Sequence, residues 1–426
     1  NNQDHNDKLV NLFKKAVHER INQSERPVGF LLSGGLDSSL VLSVALEYLC
    51  SKNNSNITNN DLNSNLNSNL NSNLNSNLNN IVETKIANNN SIKEEATNIN
   101  NTNDKSLLIN NFIKPHVFTI GFSEDAPDIK SATIMVEYLR NKYGDCFHWH
   151  KLIVPIEDGL KVLPEVIKCL ETYDTTTIRA STPMYLMCEY IKKHTDVKVI
   201  LSGEGSDELF GGYLYFNYAP NNIEFQAEII KLLNELHFYD VRRADRMIAS
   251  WGLEARTPFL SDPFVDAVLH HPYLIKGKSN TKELIRACFN DKNVLPNEIL
   301  YGKKEAFSDA VGLSWKDAIK LHAIEMNKKL NNNVLCFGHI VPQTDEMIYF
   351  QYLFNIYFKE AWHLLPHLWL PNQNWVKTGV EPSARVLSTY HQEKVLQNQI
   401  PNQVYLLQNQ CSKEEEFDDL NEEMSS

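Results

Sequence analysis

Apolar positions recur along this chain with two spacings, and the switches between them mark its elements. Leu9, Leu12, Phe13, Ala16, Val17 and Ile21 make one helical stripe with lysines and arginines opposite, which predicts a lead-in helix within residues 1–27. The run opening at Val28 is short and continuously apolar, as a buried strand is; two glycines follow, and Leu40, Val44, Ala45 and Tyr48 then recur at helical spacing. Residues 115–122 form a second apolar strand, Ala132, Met135, Val136 and Leu139 a helix, residues 146–154 an alternating strand, and residues 197–201 another strand. Beyond Tyr218 the pattern is helical over 223–239, 264–269, near 281–289 and, rich in aromatics, over 347–362. The alternation predicts an α/β fold: a doubly wound, mostly parallel sheet over residues 28–218 with flanking helices, then a helical part over 219–395. The carboxyl ends of such strands share an edge, where ligands bind at a reversal in strand order.

Composition interrupts this pattern once. From Lys52 to about Asn111 the chain is mostly Asn and Ser, with four consecutive Asn-Ser-Asn-Leu units between Asn63 and Leu78. So polar a tract buries too little apolar surface to offset its ordering entropy, and a disordered insertion over about 52–111 is expected. Residues 396–426 are expected to form a loose acidic tail. The formal net charge of -12 argues against a nucleic-acid partner. No apolar run approaches a membrane span, and the seven cysteines include no C-x-x-C pair, so a soluble, cytoplasmic protein in a reducing compartment is expected. The chain does not open on Met, and the expectation is a piece of a longer polypeptide.

Two loops carry the chemistry. Ser33-Gly34-Gly35-Leu36-Asp37-Ser38-Ser39 joins a strand to a helix, so backbone N–H groups, the helix dipole and three hydroxyls converge where a polyanion can sit. It lacks the Gly-Lys-Ser/Thr of a Walker loop and does not fit G-x-G-x-x-G. The second loop, residues 202–213, reads Ser-Gly-Glu-Gly-Ser-Asp-Glu-Leu-Phe-Gly-Gly-Tyr after another strand. Asp37 and Asp207, one from each loop, suit the sparse carboxylate ligation that Mg²⁺ prefers; either also suits a helix N-cap. His148 and His150 share one strand face, but with no third ligand in reach a structural role is expected. The cluster of Arg242, Arg243 and Arg246 suits a solvated helix face as well as a site, and Lys303 and Lys304 alone read as surface lysines.

The first loop resembles the pyrophosphate loop of the N-type ATP pyrophosphatases. Taken with Glu171-Thr172-Tyr173-Asp174, with residues 176–183, 202–213 and 251–260, with Lys304-Glu305-Ala306-Phe307-Ser308-Asp309 and with Glu381-Pro382-Ser383-Ala384-Arg385, the chain resembles the C-terminal synthetase domain of the glutamine-hydrolysing asparagine synthetase family. That resemblance implies an ATP pyrophosphatase-type sheet and a two-step reaction: the aspartate side-chain carboxylate attacks the α phosphate of ATP, pyrophosphate leaves, and ammonia then converts β-aspartyl-AMP to asparagine and AMP. It implies Ser33, Gly34, Gly35, Asp37, Ser38 and Ser39 on the pyrophosphate, Leu31 or Leu32, Ile120, Ser202 and Gly203 around the adenosine, and Asp37 and Asp207 on Mg²⁺. It further implies Glu204 at the aspartyl-adenylate step and as acceptor of the ammonium proton, Lys304 at the adenylation transition state, and Thr176, Thr177 and Arg179 on phosphates or aspartate carboxylates.

Gly302 stands where the resemblance leads one to expect Arg. The implied partners are aspartate, ATP and ammonia, with a glutaminase domain of the same polypeptide that this chain lacks, so free ammonia is its expected nitrogen source; a homodimer is an open option, and membranes and nucleic acid are not expected. A β-lactam synthetase and an ATP-binding regulatory module remain as alternatives.

Overall fold

The computed structural model describes residues 2–52, 114–274, 281–302, 306–312, 314–330, 338–383 and 387. Within them β1 (Val28–Leu31), β2 (His116–Gly121), β3 (His148–Ile153), β4 (Val199–Leu201) and β5 (Glu254–Arg256) form one sheet in the order β3-β2-β1-β4-β5, every neighbouring pair parallel. Gly29 lies beside His116 on one side and Ile200 on the other. The chain builds outward from β1 to β3 and then returns to add β4 on β1's free side. With right-handed crossovers that reversal sends helices to opposite faces, the doubly wound arrangement expected, and it opens a crevice at the carboxyl ends of β1 and β4.

Helix α1 (Asn2–Asn22) leads in, and α2, helical over 36–52, follows β1. Next come α3 (Pro127–Tyr143), α4 (Ile156–Leu170), α5 (Thr175–His194), α6 (Ser206–Phe210), α7 (Asn222–Glu235) and α8 (Asp240–Ala249). After β5 the chain forms α9 (Asp262–Leu269), α10 (Glu283–Phe289), α11 (Asn297–Leu300), α12 (Phe307–Ala310), α13 (Trp315–Lys329) and α14 (Asp345–Tyr357). The apolar stripe of α1 docks on α9 and α10, with the ring of fully buried Phe13 against Phe259, Phe264 and Phe289. Burying a phenylalanine contributes about 1.5–3 kcal/mol, which explains why this helix adheres. Helices α4, α5 and α8 pack together, and the pair α13 and α14 covers α4.

Three differences from the sequence reading have local causes. The region expected to be wholly helical after Tyr218 supplies β5, which is short, charged and partly exposed because it is an edge strand. The helix expected over 347–362 stops at Tyr357, and Glu360 turns the chain with φ +66°. Finally, a third imidazole does reach His150: His116 on neighbouring β2 brings Nδ1 to 2.9 Å from its Nε2, a proximity set by strand pairing. Residues 53–113, which hold nearly all of the expected insertion, and the acidic tail over 396–426 lie outside the described residues.

Candidate active site

The β1–α2 loop is held by its own hydroxyls. Ser38 Oγ accepts from the Ser33 N–H (3.2 Å) and lies 3.1 Å from Ser33 Oγ, which in turn accepts from the Gly35 N–H (3.2 Å). Gly34 turns with φ +75° where a Cβ would stand 2.2 Å from the Ala132 nitrogen, so the loop rests directly on α3. At its base the Leu32 N–H donates to the Phe118 carbonyl (2.8 Å), and the Leu32 carbonyl accepts from Thr119 Oγ1 (2.8 Å).

The β4–α6 loop meets it across the crevice. A Cβ on Gly203 would lie 3.0 Å from both Asp37 Cβ and the Ser38 nitrogen, so the absence of a side chain lets the two loops touch. Ser206 Oγ donates to Asp37 Oδ1 (2.8 Å), and the buried Lys282 ammonium donates to Asp37 Oδ2 at 2.6 Å while lying 2.8 Å from Asp207 Oδ1. Two carboxylates from separate loops thus converge on a single nitrogen.

These loops line one cleft. Of the residues singled out from the sequence, Leu31, Leu32, Ser33, Asp37, Ser38, Ile120, Thr176, Arg179, Ser202, Gly203, Glu204 and Asp207 face it, joined by Met184, Met187, Phe118 and Trp369 as apolar wall. Two residues implied on the nucleotide by the resemblance have other surroundings here. Ser39 is fully buried with its N–H bonded to the Gly35 carbonyl (3.1 Å), and Thr177 Oγ1 donates to the N-cap Asp174 (2.8 Å). Arg179 forms a bidentate pair with buried Glu346 (2.8 and 2.5 Å) and bonds Glu381 (2.8 Å). Burial pushes the Glu381 carboxyl up, but Arg179 and Lys320 overcome this and hold it down at about 2. Ser383, just beyond it, donates to Asp309 (2.8 Å), so this network ties down α12 beside the lysine loop. Lys304 itself lies outside the described residues.

A family model described as "Asparagine synthase" matches residues 8–231 and 221–337. The chain belongs to the asparagine synthase family. It is 36% identical over 389 residues to a probable asparagine synthetase (glutamine-hydrolyzing) of Acanthamoeba polyphaga mimivirus, covering 89% of this chain and 57% of the relative. It is 37% identical over 357 residues to asparagine synthetase (glutamine-hydrolyzing) 1 of Lotus japonicus, covering 82% and 50%. The third of the Arabidopsis thaliana asparagine synthetases (glutamine-hydrolyzing) is 37% identical over 366 residues, covering 82% and 52%. The chain therefore spans about half the length of the curated relatives it matches.

Sequence reasoning missed several polar residues of the asparagine synthase cleft. Arg243, one of a cluster of three arginines with an equally good surface reading, donates to Glu204 (2.6 Å) and pairs with Asp240 (3.0 Å), whereas Arg242 and Arg246 bond the carbonyl and carboxylate oxygens at the end of α4. Burial raises the Glu204 carboxyl, with Arg243 opposing. Tyr213 Oη lies 2.5 Å from Glu208 and 2.8 Å from Asp240. Burial together with Asp240 and Asp207 raises the Glu208 carboxyl well above the usual carboxylate range. Spacing could have flagged Tyr213, which closes the second motif, but not Lys282, which is remote from both loops in sequence.

Proposed function

We propose that this chain is the synthetase half of a glutamine-hydrolysing asparagine synthetase, joining ammonia to the side chain of aspartate at the expense of ATP cleaved to AMP and pyrophosphate. The observation that carries this reading is the meeting of the two loops at the β1/β4 switch, where the Ser33–Ser38 hydroxyl cradle, Asp37, Asp207 and Glu204 face one cleft.

A free carboxylate has no leaving group, so activation must precede amidation. In the first step an aspartate side-chain oxygen bonds to the α phosphorus while the bond to the bridging oxygen breaks and pyrophosphate departs. Ser33, Ser38 and the N-terminus of α2 receive that pyrophosphate. Asp37 and Asp207 fit a hard divalent cation, because two carboxylate oxygens converge on one point and leave the remaining positions to phosphates and water. Mg²⁺ held there supplies charge neutralisation of the leaving group. Lys304 is assigned to the charge developing at the α phosphate.

In the second step ammonia adds to the activated carbonyl, the bond to AMP breaks, and Glu204 accepts the nitrogen's proton. Burial raises the Glu204 carboxyl, and Arg243 opposes that rise, which favours the ionised form the step needs. Arg179, engaged by two glutamates, is assigned to holding the wall rather than to touching substrate. A glutaminase domain of the same polypeptide is the proposed nitrogen source in the whole protein, and the cytoplasm its proposed location.

The test is an incubation with ATP, Mg²⁺, aspartate and an ammonium salt, following pyrophosphate, AMP and asparagine together. Equal amounts of all three are expected. Pyrophosphate without asparagine would overturn the amidation half, and nucleotide binding with no turnover would overturn the whole reading in favour of a regulatory module.

A further inference from the structure

Lys282 is nearly inaccessible, with 4% of its surface exposed, although it carries a full charge. Burying an ammonium is unfavourable unless carboxylates compensate it, and here two do: Asp37 Oδ2 at 2.6 Å and Asp207 Oδ1 at 2.8 Å, with Ser206 Oγ at 3.3 Å as third partner. The surroundings are shaped to this side chain. A Cβ on Gly212 would stand 2.1 Å from Lys282 Cε and 2.2 Å from Asp207 Oδ1, so the lysine stem runs through space that any larger residue would fill. Its backbone has φ +61°, a conformation that residues with side chains rarely adopt, and is fixed from α10: the Arg286 N–H donates to the Lys282 carbonyl (3.2 Å) and Arg286 Nε to the Thr281 carbonyl (2.9 Å). The same guanidinium reaches the carbonyls of Leu300 and Gly302, at the threshold of the lysine loop.

The Lys282 ammonium therefore occupies the point on which the two aspartates converge. A divalent cation there needs the same two oxygens at about 2.0–2.1 Å, and two cations cannot share so small a space. The other Asp37 oxygen, Oδ1, already accepts from Ser206.

We propose that Lys282 is an internal counter-cation, which holds the two motif loops together in the absence of nucleotide, is exchanged for the incoming divalent cation, and then presents its freed ammonium to the departing pyrophosphate. This rests on the reading of Asp37 and Asp207 as ligands of that cation. Lys282 acts here as a positioning residue: it keeps the carboxylates paired and suppresses binding of bare metal, so that metal enters efficiently only with the phosphates that accept the displaced ammonium.

The test is Mn²⁺ affinity without nucleotide, measured by titration calorimetry on the chain and its variants. Lys282→Met should bind Mn²⁺ at least about tenfold more tightly than the parent, with a larger rise in melting temperature on adding Mn²⁺, while Lys282→Arg stays as weak as the parent. Unchanged or weaker binding by Lys282→Met would overturn the proposal. If adding Asp207→Asn to Lys282→Met leaves the tightened binding intact, the ligand reading itself fails; if it abolishes it, that reading stands. A second measurement needs no variant: acetic anhydride labelling of Lys282 in the parent protein, read by peptide mass spectrometry, should quicken as Mn²⁺ is added. Labelling unchanged at Mn²⁺ concentrations that calorimetry shows to saturate the weak site of the parent would count equally against the exchange.

Discussion

Arg243 Nη2 lies 2.6 Å from the Glu204 carboxylate at the wall of the cleft, and Asp240 shares the same nitrogen at 3.0 Å. Burial drives the Glu204 carboxyl upward, and Arg243 is the principal opposing charge. Removing that charge with Arg243→Met should raise Glu204 further, so that it loses its ionised form at higher pH. The acid limb of the pH profile for ammonia-dependent asparagine formation is expected to move upward by about one unit or more. A drop in rate with no movement of that limb would assign Arg243 a purely structural role.

Replacing Glu204 by Gln keeps the shape and removes the proton acceptor. Asparagine formation should fall by about 10²–10⁴-fold while ATP affinity changes only a few-fold, since Glu204 is one residue among many that line the cleft. Kinetics and equilibrium nucleotide binding on the same preparation separate the two effects. Equal losses in both would show that Glu204 belongs to nucleotide binding instead.

Asp174 is fully buried and acts on two fronts: Oδ2 caps α5 through the Thr177 N–H (2.8 Å), and Oδ1 accepts the N–H of Trp369 (2.7 Å), a lining residue of the cleft. Asp174→Ala leaves both donors without an acceptor and should destabilise the chain by about 2–4 kcal/mol in urea unfolding. Asp174→Asn, which keeps an acceptor oxygen, should lose less.

What could be read from the sequence was whatever is contiguous. Each cradle loop is a short run after an apolar strand, so Ser33, Asp37 and Asp207 could be singled out from local pattern, Glu204 came only with the family resemblance, and the sheet followed from alternating spacings. What failed depends on packing between distant segments. The partnership of Lys282 with Asp37 is visible only once α10 is docked, and Arg243 could not be told from Arg242 and Arg246 because all three occupy one helix of similar composition. Thr177 was implied on the ligand because it stands inside a motif, yet its hydroxyl donates to Asp174, since within a helix's first turn a hydroxyl also serves the helix itself. β5 escaped notice because Glu254-Ala255-Arg256 carries the charges of an edge.

The imidazoles at the amino ends of β2 and β3 give a prediction in acid. Burial, His116 and His148 together lower His150 to about 4, so between pH 6.5 and 4 the unfolded chain binds a proton there that the folded chain refuses. That contribution to stability is intact above pH 6.5 and is lost as the pH falls towards 4. The melting temperature should decline across that window, and more shallowly in His150→Gln; equal slopes in parent and variant would remove His150 as the cause.

The contact of Cys50 with Cys146 bears on how this chain tolerates added length. Cys50 stands near the end of the described part of α2 and its thiol is hydrogen-bonded to that of Cys146; two residues on, the His148 N–H donates to the Pro115 carbonyl (2.9 Å), where β2 is about to begin. The exit to and re-entry from residues 53–113 therefore adjoin one another at the amino edge of the sheet, opposite the edge where the cradle loops meet. Lengthening a connection between neighbouring points costs only about 0.6 kcal/mol per doubling, so added sequence at this position should cost the fold little. The position is a natural splice point: exchanging residues 53–113 for a short glycine-serine bridge, or for a reporter domain with adjacent termini, should leave ATP affinity and ammonia-dependent turnover where they were.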